Sequence, residues 1–160
     1  MEKIEADYPR GCVRLLIYVK IIFDIIANEP ALLPKSMMQI IRDMVLGRCI
    51  LALVSKKLVG YVATIPYKKM KLAKVSSHVV EFDSRENGIG SKLAKEIYDL
   101  SKKLYPQCKV ITVVDPENAR KFERLGMVRI DKHDVPKEFI DTTSIDLNID
   151  TPNKIIMIEL

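Results

Sequence analysis

Hydrophobic and polar positions change their period near the middle of the chain. Residues 74–82 are rich in apolar and β-branched side chains and predict a strand. The polar residues 83–87 follow, and then the glycines Gly88 and Gly90. From Ser91 onward, apolar residues recur at every third or fourth position with lysines and acids between them, which is typical of an amphipathic helix. The pattern therefore predicts a strand, a glycine turn and a helix in succession.

Two helices and a hairpin are predicted before this segment. Residues 13–27 are an apolar run that predicts a helix buried on most sides, although β-branched residues leave a strand open for part of it. Residues 34–46 predict a second helix. Residues 50–54 and 58–65 predict a hairpin, and Pro66 is expected to end its second strand. The side chains expected to face inward from the second helix are Met37, Met38, Ile40, Ile41, Met44 and Val45.

Strands and helices alternate after the central helix. A short apolar strand is predicted at residues 109–114, a helix capped by Asp115, and a strand at residues 127–130. A short helix at residues 136–140 and a last strand at residues 154–160 complete the order. This order predicts a mixed sheet covered by helices, an α/β domain in the broad sense, and the 160 residues suit one domain.

Composition narrows the classes of function. The chain is 48% hydrophobic, which suits a folded core. Its net charge of +5 is compatible with phosphate-bearing ligands or acidic partners, but no concentrated basic segment favours nucleic-acid binding. Three cysteines and two histidines lack ligand spacing, so no disulfide framework and no metal site are expected, and a reducing cytoplasm is favoured.

The apolar run at residues 13–27 is interrupted by charges. Neither a membrane span nor a secretory signal is therefore expected. Lys20, Asp24 and Asn28 are spaced four apart and would share one narrow polar stripe of a helix. Because nearly everything else on that helix is apolar, we expect it to form a homodimer interface or a lid over the core.

The glycine turn is compatible with two interpretations. The first N–H groups of a helix lack partners inside it and attract anions, and glycine lets a ligand approach the backbone. With Arg85 beside the turn, a pyrophosphate site is one interpretation. The other is glycine that serves turn geometry alone. The Walker and dinucleotide-binding patterns both fail, since the first needs Gly-Lys-Ser/Thr and the second a glycine where Leu93 stands.

Several segments, taken in their order along the chain, resemble the GCN5-related N-acetyltransferase (GNAT) family. Arg85, Gly88 and Gly90 match the family's acetyl-CoA signature, Gln/Arg-x-x-Gly-x-Gly/Ala. Residues 125–127 match its Leu-Gly-Phe landmark with methionine in the last place, and residues 156–160 are similar to its C-terminal strand. The ordered set is much more specific than the glycine motif alone.

The resemblance divides the chain into three parts within one domain. Residues 1–49 are a divergent helical part, residues 50–130 the acetyl-CoA-binding core, and residues 131–160 a C-terminal loop and strand. Phe122 and the Val-Pro-Lys sequence at residues 135–137 are also similar to N-acetylglutamate-synthase-like members.

The fold that the resemblance implies is the acyl-CoA N-acyltransferase fold, a mixed, mostly antiparallel central sheet with helices on both faces. Two parallel strands splay apart in it, here at residues 74–82 and 109–114, and acetyl-CoA enters between them. Backbone N–H groups at residues 86–91 would hold the pyrophosphate, and those near Val80 and Phe82 would pair with the pantetheine arm. The implied coenzyme-binding residues are Val80, Phe82, Arg85, Glu86, Asn87, Gly88, Ile89, Gly90, Ser91, Asp115 and Phe122.

The resemblance also implies a base on the central strand and leaves its identity open between Glu81, which is preferred, and His78. Because the two are three positions apart, a regular strand would turn them to opposite faces unless a bulge intervenes. The alternative for each is structural, a solvated sheet residue for Glu81 and a hydrogen-bonded histidine for His78.

A departure from the family concerns the leaving group. Family members often carry a tyrosine that protonates the departing thiolate, and Phe122 stands at the matching position. Either the thiolate leaves without that acid, or Tyr61, Tyr67 or Tyr98 substitutes, or the activity is weak.

The function implied is transfer of an acetyl group from acetyl-CoA to a primary amine of a small molecule, amino acid or protein, by direct attack of the amine on the thioester. The alternative is a non-catalytic acyl-CoA-binding module that senses or regulates, which Phe122 favours. A basic protein that contacts nucleic acid is a third hypothesis, and no stripe of aromatic and basic residues supports it.

Overall fold

The computed structural model describes residues 12–29, 32, 34–142 and 154–160. Its helices are α1 (Cys12–Ala27), α2 (Met37–Val45), α3 (Ile89–Leu104), α4 (Pro116–Glu123) and α5 (Lys137–Thr142). Its strands are β1 (Cys49–Val54), β2 (Lys57–Tyr67), β3 (Leu72–Val80), β4 (Lys109–Val114), β5 (Met127–Ile130) and β6 (Ile155–Glu159). Short 3₁₀ turns lie at Lys68–Met70, Phe82–Asn87 and Lys132–Asp134. None of the described helices has the length and hydropathy that a bilayer crossing needs.

The strands form one six-stranded sheet in the order β1-β2-β3-β4-β6-β5. β3 and β4 run parallel, with Leu72 opposite Lys109. β1 and β2, β4 and β6, and β5 and β6 run antiparallel. This arrangement confirms the predicted mixed sheet, in which antiparallel pairing predominates among the described ladders.

The chain forms two compact units. The first comprises the described residues up to Thr64 together with Ser77–Ile97, and the second comprises Ile65–Ser76 and the described residues from Tyr98 onward. β2, β3 and α3 each contribute residues to both units.

In the first unit, α1 is helical over its whole length, so the strand alternative is wrong. One face of it packs into a core that also contains residues of α2, β1, β2 and β3. The buried residues of α1 are Tyr18, Val19, Ile22 and Ile26. Within the single chain α1 is not buried on most sides, because Val13, Leu16 and Ile17 are 73%, 58% and 52% exposed. The expectation that a homodimer interface covers them stays a prediction.

The start of α2 differs from the prediction. The Ser36 hydroxyl accepts a hydrogen bond from the Gln39 N–H at 3.2 Å, and the Gln39 side chain accepts one from the Ser36 N–H at 2.8 Å. This capping box satisfies two N–H groups of the first turn. The helix therefore begins at Met37 rather than at Pro34.

The inward face of α2 is narrower than predicted. Ile40 and Met44 are buried and Ile41 is half-buried, as expected. The prediction is wrong for Met37, Met38 and Val45, which are exposed. The 3.6-residue period turns the last two away from the buried face, and Met37 lies in the exposed first turn.

The hairpin of β1 and β2 is confirmed, with one correction. Its turn at Ser55 and Lys56 has φ values of +48° and +68°, the left-handed conformation that suits a two-residue hairpin turn. Pro66 does not end β2, which continues to Tyr67. The pairing of β2 with β1 ends at Ala63, so the missing N–H of the proline costs no hydrogen bond to that strand.

The second unit contains β4, β5 and β6 with α4 and α5, and the elements predicted after the central helix are confirmed with small shifts of their ends. The Tyr67 and Phe139 rings meet edge to face with centroids 5.0 Å apart. Phe139 belongs to a compact core with Leu72, Ile111, Val135 and Ile156, and Tyr67 packs against this core.

A buried polar network ties α2 to β2 in the first unit. Lys35 Nζ lies 2.6 Å from Asp43 Oδ2, and the Tyr61 hydroxyl donates to the same oxygen at 2.9 Å. Burial, and then the charge of Asp43, raise the pKa of Tyr61 above its usual range and that of Cys49 to about 12. Both groups are therefore neutral at physiological pH.

Replacing Asp43 with alanine should reduce the free energy of unfolding by about 3–5 kcal/mol, because the buried Lys35 ammonium loses its counterion. Asp24→Ala is the matched control, since its partner Lys20 is 61% exposed, and such a pair contributes about 0.5 kcal/mol. Urea unfolding of both variants measures the difference. Equal losses would contradict a structural role for the buried pair.

Candidate functional site

The predicted order of strand, glycine turn and helix is confirmed, but the bounds differ. β3 covers Leu72–Val80 rather than residues 74–82, so the prediction that Glu81 and Phe82 belong to the strand is wrong. β3 ends at Val80, and the Glu81 N–H donates to the Val59 carbonyl of β2 at 2.7 Å. The 3₁₀ turn Phe82–Asn87 follows, Gly88 adopts φ of +70°, and α3 begins at Ile89. The left-handed residue reverses the chain so that the first N–H groups of a 16-residue helix lie beside the end of the strand.

Two side chains hold this turn in place. Arg85 Nε donates to the Val80 carbonyl at 3.1 Å, and its Nη2 pairs with the carboxylate of Glu29, just beyond α1. His78 Nε2 lies 2.8 Å from the Gly90 carbonyl. Because a carbonyl oxygen only accepts, this ring nitrogen carries the proton. His78 thus joins β3 to the start of α3.

The surroundings of the turn differ from residue to residue. A Cβ built on Gly88 would meet no heavy atom within 4 Å, so space is open beside that residue. Ile89 and Gly90 are buried, so Ile89 has a packing role for its side chain and only its backbone to offer a ligand. Ser91 is exposed in the first turn of α3. The backbone N–H groups of a helix's first turn and the helix dipole are features that phosphate oxygens favour.

A groove of about 320 Å³ lies between α1 and the end of β3. It is lined from the side of α1 by Ile21, Asp24, Ile25, Asn28 and Glu29, and from the side of β3 and the turn by Val79, Val80, Glu81, Phe82 and Arg85. The candidate base Glu81 and the signature residue Arg85 thus share one cavity.

The two candidate bases have different surroundings. Glu81 lines the groove, its side chain is 31% exposed, and Lys57 donates to its two oxygens at 2.8 and 3.1 Å. His78 does not line the groove and bonds to the start of α3 instead. The structure therefore brings Glu81, and not His78, to the cavity.

The backbone of β3 is irregular just before the candidate base His78. Ser77 has φ of +56°, a conformation that costs a non-glycine residue about 1–2 kcal/mol. Strained residues of this kind concentrate at functional sites. The irregularity lies one residue before His78.

None of the tyrosines considered as acids lines the groove. Tyr61 is fully buried and donates to Asp43. Tyr67 packs against Phe139, and burial raises its pKa. Burial, and then the charge of Glu159, raise the pKa of Tyr98. The Tyr98 hydroxyl also donates a hydrogen bond to the Glu159 carboxylate.

Asp115 and Phe122 lie in the second unit. Asp115 precedes α4, but its side chain makes no capping hydrogen bond, so the predicted cap is wrong. Its Oδ1 accepts from Lys154 Nζ at 2.7 Å instead. Phe122 is fully buried, so contact of its ring with a ligand would require repacking. Their roles toward the coenzyme stay predictions. Among the described residues, no cluster of histidine, cysteine and acidic side chains could hold a metal ion.

Sequence reasoning missed three charged residues around the groove, namely Asp24, Glu29 and Lys57. The polar stripe of α1 carried a signal, since Asp24 and Asn28 both line the cavity. Glu29 and Lys57 gave no local signal, because their partners lie 56 and 24 positions away in the sequence.

The model of the acetyltransferase (GNAT) family matches residues 19–127, more than half of the chain. No curated protein sequence matches at a significant level. Similar solved structures include a Mycobacterium tuberculosis protein in complex with CoA and NLQ, with TM-score 0.71 and 18% identity over 89% of this chain and 93% of that one.

Two further structures have related folds. N-acetylglutamate synthase from Neisseria gonorrhoeae, complexed with coenzyme A and N-acetyl-glutamate, has TM-score 0.68 and 12% identity over 90% of this chain and 32% of that one. Ribosomal-protein-alanine N-acetyltransferase from Brucella melitensis has TM-score 0.62 and 15% identity over 92% and 94%.

These structural likenesses confirm the predicted fold, and the family match extends from within α1 across the signature turn to the start of β5. The chain belongs to the acetyltransferase (GNAT) family, whose members transfer an acetyl group from acetyl-CoA to an amine.

Proposed function

We propose that this protein acetylates a primary amine that enters the groove between α1 and the end of β3. One observation carries the proposal: Glu81, Phe82 and Arg85 line the groove and also form the approach to the coenzyme signature. An acceptor in this cavity would therefore lie beside the backbone that the family uses for acetyl-CoA.

The coenzyme is proposed to bind mainly through backbone groups. N–H groups of residues 86–91 would hold the pyrophosphate, and backbone groups near Val80 and Phe82 would pair with the pantetheine arm. In its support, α3 is long enough to have a substantial dipole, and Gly88 leaves open space where a side chain would stand. Acetyl-CoA supplies the activated acetyl group as a thioester.

Glu81 is proposed as the general base. The amine nitrogen must lose a proton as its bond to the acetyl carbon forms and the carbon–sulfur bond breaks. A carboxylate in the groove can accept that proton directly or through one water. Lys57 is 68% exposed, so its hold on Glu81 is a weak surface interaction that an entering ligand can displace. His78 is proposed to position α3 rather than to transfer protons.

The thiolate is proposed to leave without a tyrosine acid. Tyr61, Tyr67 and Tyr98 have other partners, and the family position holds Phe122. A thiol has a reference pKa of about 8.5, so its anion is a tolerable leaving group near neutral pH. Solvent then protonates it.

The finer assignments are proposals as well. The acceptor is a small molecule, an amino acid or a protein amine, and the likeness to N-acetylglutamate-synthase-like members stays a prediction. The compartment is proposed to be the cytoplasm, in keeping with the free thiols of Cys49 and Cys108.

Replacing Gly88 with alanine should weaken coenzyme A binding by about tenfold or more, equivalent to ~1.4 kcal/mol, because the new Cβ occupies the open cradle. Gly126→Ala is the matched control. Its φ is +83° and its Cβ also meets nothing within 4 Å, so both variants should lose about 1–2 kcal/mol of stability. Calorimetric titration and thermal melting separate the effects. Equal coenzyme affinity in the two variants would refute the cradle.

Replacing Glu81 with glutamine should lower turnover by about 10²–10⁴-fold and leave coenzyme A affinity nearly unchanged, since the amine loses its base. Glu123→Gln removes the same charge from an exposed pair with Arg129 and is the control. Thiol release is measured over a panel of amino acids, polyamines and peptides with free N-termini. Equal turnover in both variants would remove Glu81 as the base.

A homodimer through α1 is proposed from the exposed stripe of Val13, Leu16 and Ile17. Light scattering should give twice the mass of the 18.3 kDa chain, and Leu16→Glu should give the monomer. Leu104→Glu changes an exposed leucine of α3 and should leave the dimer intact. A monomeric wild-type protein would contradict the proposal.

A further inference from the structure

We propose that Glu29 is a positioning residue that couples the acceptor groove to the coenzyme turn through its ion pair with Arg85. The inference rests on the proposed function above, because it takes the groove as the acceptor site and the turn as the coenzyme site. It adds to that function a mechanical link between the two substrates.

The guanidinium of Arg85 has partners on both sides. Its Nε donates to the carbonyl of Val80, at the end of β3, and its Nη2 pairs with the Glu29 carboxylate. Its Cζ also lies 5.4 Å from the centre of the Phe82 ring. Val80 and Phe82 belong to the same strand-to-turn segment as the arginine, so Glu29 is the partner that joins this segment to a distant part of the sequence.

Glu29 is itself attached to the end of α1. It stands two residues beyond the last helical residue, and its N–H donates to the Ile26 carbonyl at 3.1 Å. The Asn28 N–H donates to the Asp24 carbonyl at 3.1 Å, which continues the helical hydrogen bonding. A displacement of Arg85 therefore has a short path to the groove wall that α1 provides.

The surroundings of the Glu29–Arg85 pair favour a contribution of this ion pair to the coupling. The side chain of Glu29 is only 19% exposed and that of Arg85 is 47% exposed. Glu29 is thus mostly shielded from water, and charge on both donor and acceptor strengthens the hydrogen bond. Both residues line the groove, so an acceptor there would contact the pair itself.

The other two carboxylates of the groove lack this link in the described structure. Asp24 pairs with Lys20 one turn earlier on the same helix. Glu81 pairs with Lys57 of β2. Glu29 is thus the groove-lining carboxylate that reaches the signature arginine.

Coupling of this kind is reciprocal. Coenzyme that orders the turn should order the end of α1, and an acceptor that contacts Glu29 should alter the turn by the same factor. Because the arginine uses two of its N–H groups within the protein, its role is to fix the backbone donors of the turn. Loss of Glu29 should therefore weaken coenzyme binding even though a negative charge is removed.

Coenzyme A, titrated by calorimetry, is the probe that tests this inference. Glu29→Ala and Asp24→Ala each remove one carboxylate from the same groove, so they should change the general electrostatic attraction for the anionic ligand alike. Only Glu29→Ala cuts the link to Arg85. We expect it to bind coenzyme A about fivefold more weakly than Asp24→Ala. In an Arg85→Ala background, adding Glu29→Ala should have no further effect.

Amide hydrogen exchange supplies a second readout, which a merely structural role would not move. Coenzyme A should slow exchange at the N–H groups of Asn28 and Glu29 in the wild type and in Asp24→Ala, but not in Glu29→Ala. If Glu29→Ala does not fold, Glu29→Gln serves, because it keeps the shape and removes the charge.

Equal affinities of the two alanine variants, additive effects with Arg85→Ala, or protection of α1 that survives the loss of Glu29 would each overturn the coupling. These outcomes all require that the wild type binds coenzyme A. A folded wild type that does not bind it would instead overturn the proposed function, so the two failures are distinguishable.

Discussion

Between Val80 and Ile89 the chain has to leave an interior strand and begin a helix whose first N–H groups have no partner inside it. The left-handed φ of Gly88 makes the reversal possible within a few residues. Arg85 holds one side of the turn to the strand, and His78 holds the first turn of α3. The turn is therefore held in place by the protein itself, so an anion that bound there would have little ordering to impose.

The remainder of the candidate site follows from where this turn lies. The strand that leads into it brings Glu81 to the groove, and α1 closes the groove from the other side. The cavity carries three carboxylates within a protein of net charge +5. Each of the three has a basic partner, Lys20, Arg85 or Lys57. A carboxylate with an exposed, exchangeable partner suits proton acceptance from an amine. A carboxylate that is itself mostly shielded from water, such as Glu29, suits a fixed structural link.

Features with a local cause were the ones that the sequence predicted well. The amphipathic period of α3, the glycines of the turn and the hairpin at Ser55 and Lys56 all depend on neighbouring residues. The capping box of Ser36 and Gln39 is also a local feature, and it starts α2 at Met37 although a proline at position 34 favours an earlier start. Contacts between residues far apart in the sequence produce no such local pattern. The pairs Glu29–Arg85 and Lys57–Glu81 join residues 56 and 24 positions apart, and no helix or strand periodicity links such positions. From the sequence alone, Asp43 and Lys35 resemble exposed charges on or near a helix, so their buried network could not be predicted.

The most direct test of this account is a backbone amide NMR titration of the wild-type protein with coenzyme A. We predict that the largest chemical-shift changes fall on the N–H groups of residues 80–91, at the end of β3 and through the turn into α3. Binding with its largest changes outside this segment would contradict the assignment of the turn. No saturable change in a folded protein would contradict the central claim that this turn holds the acetyl donor.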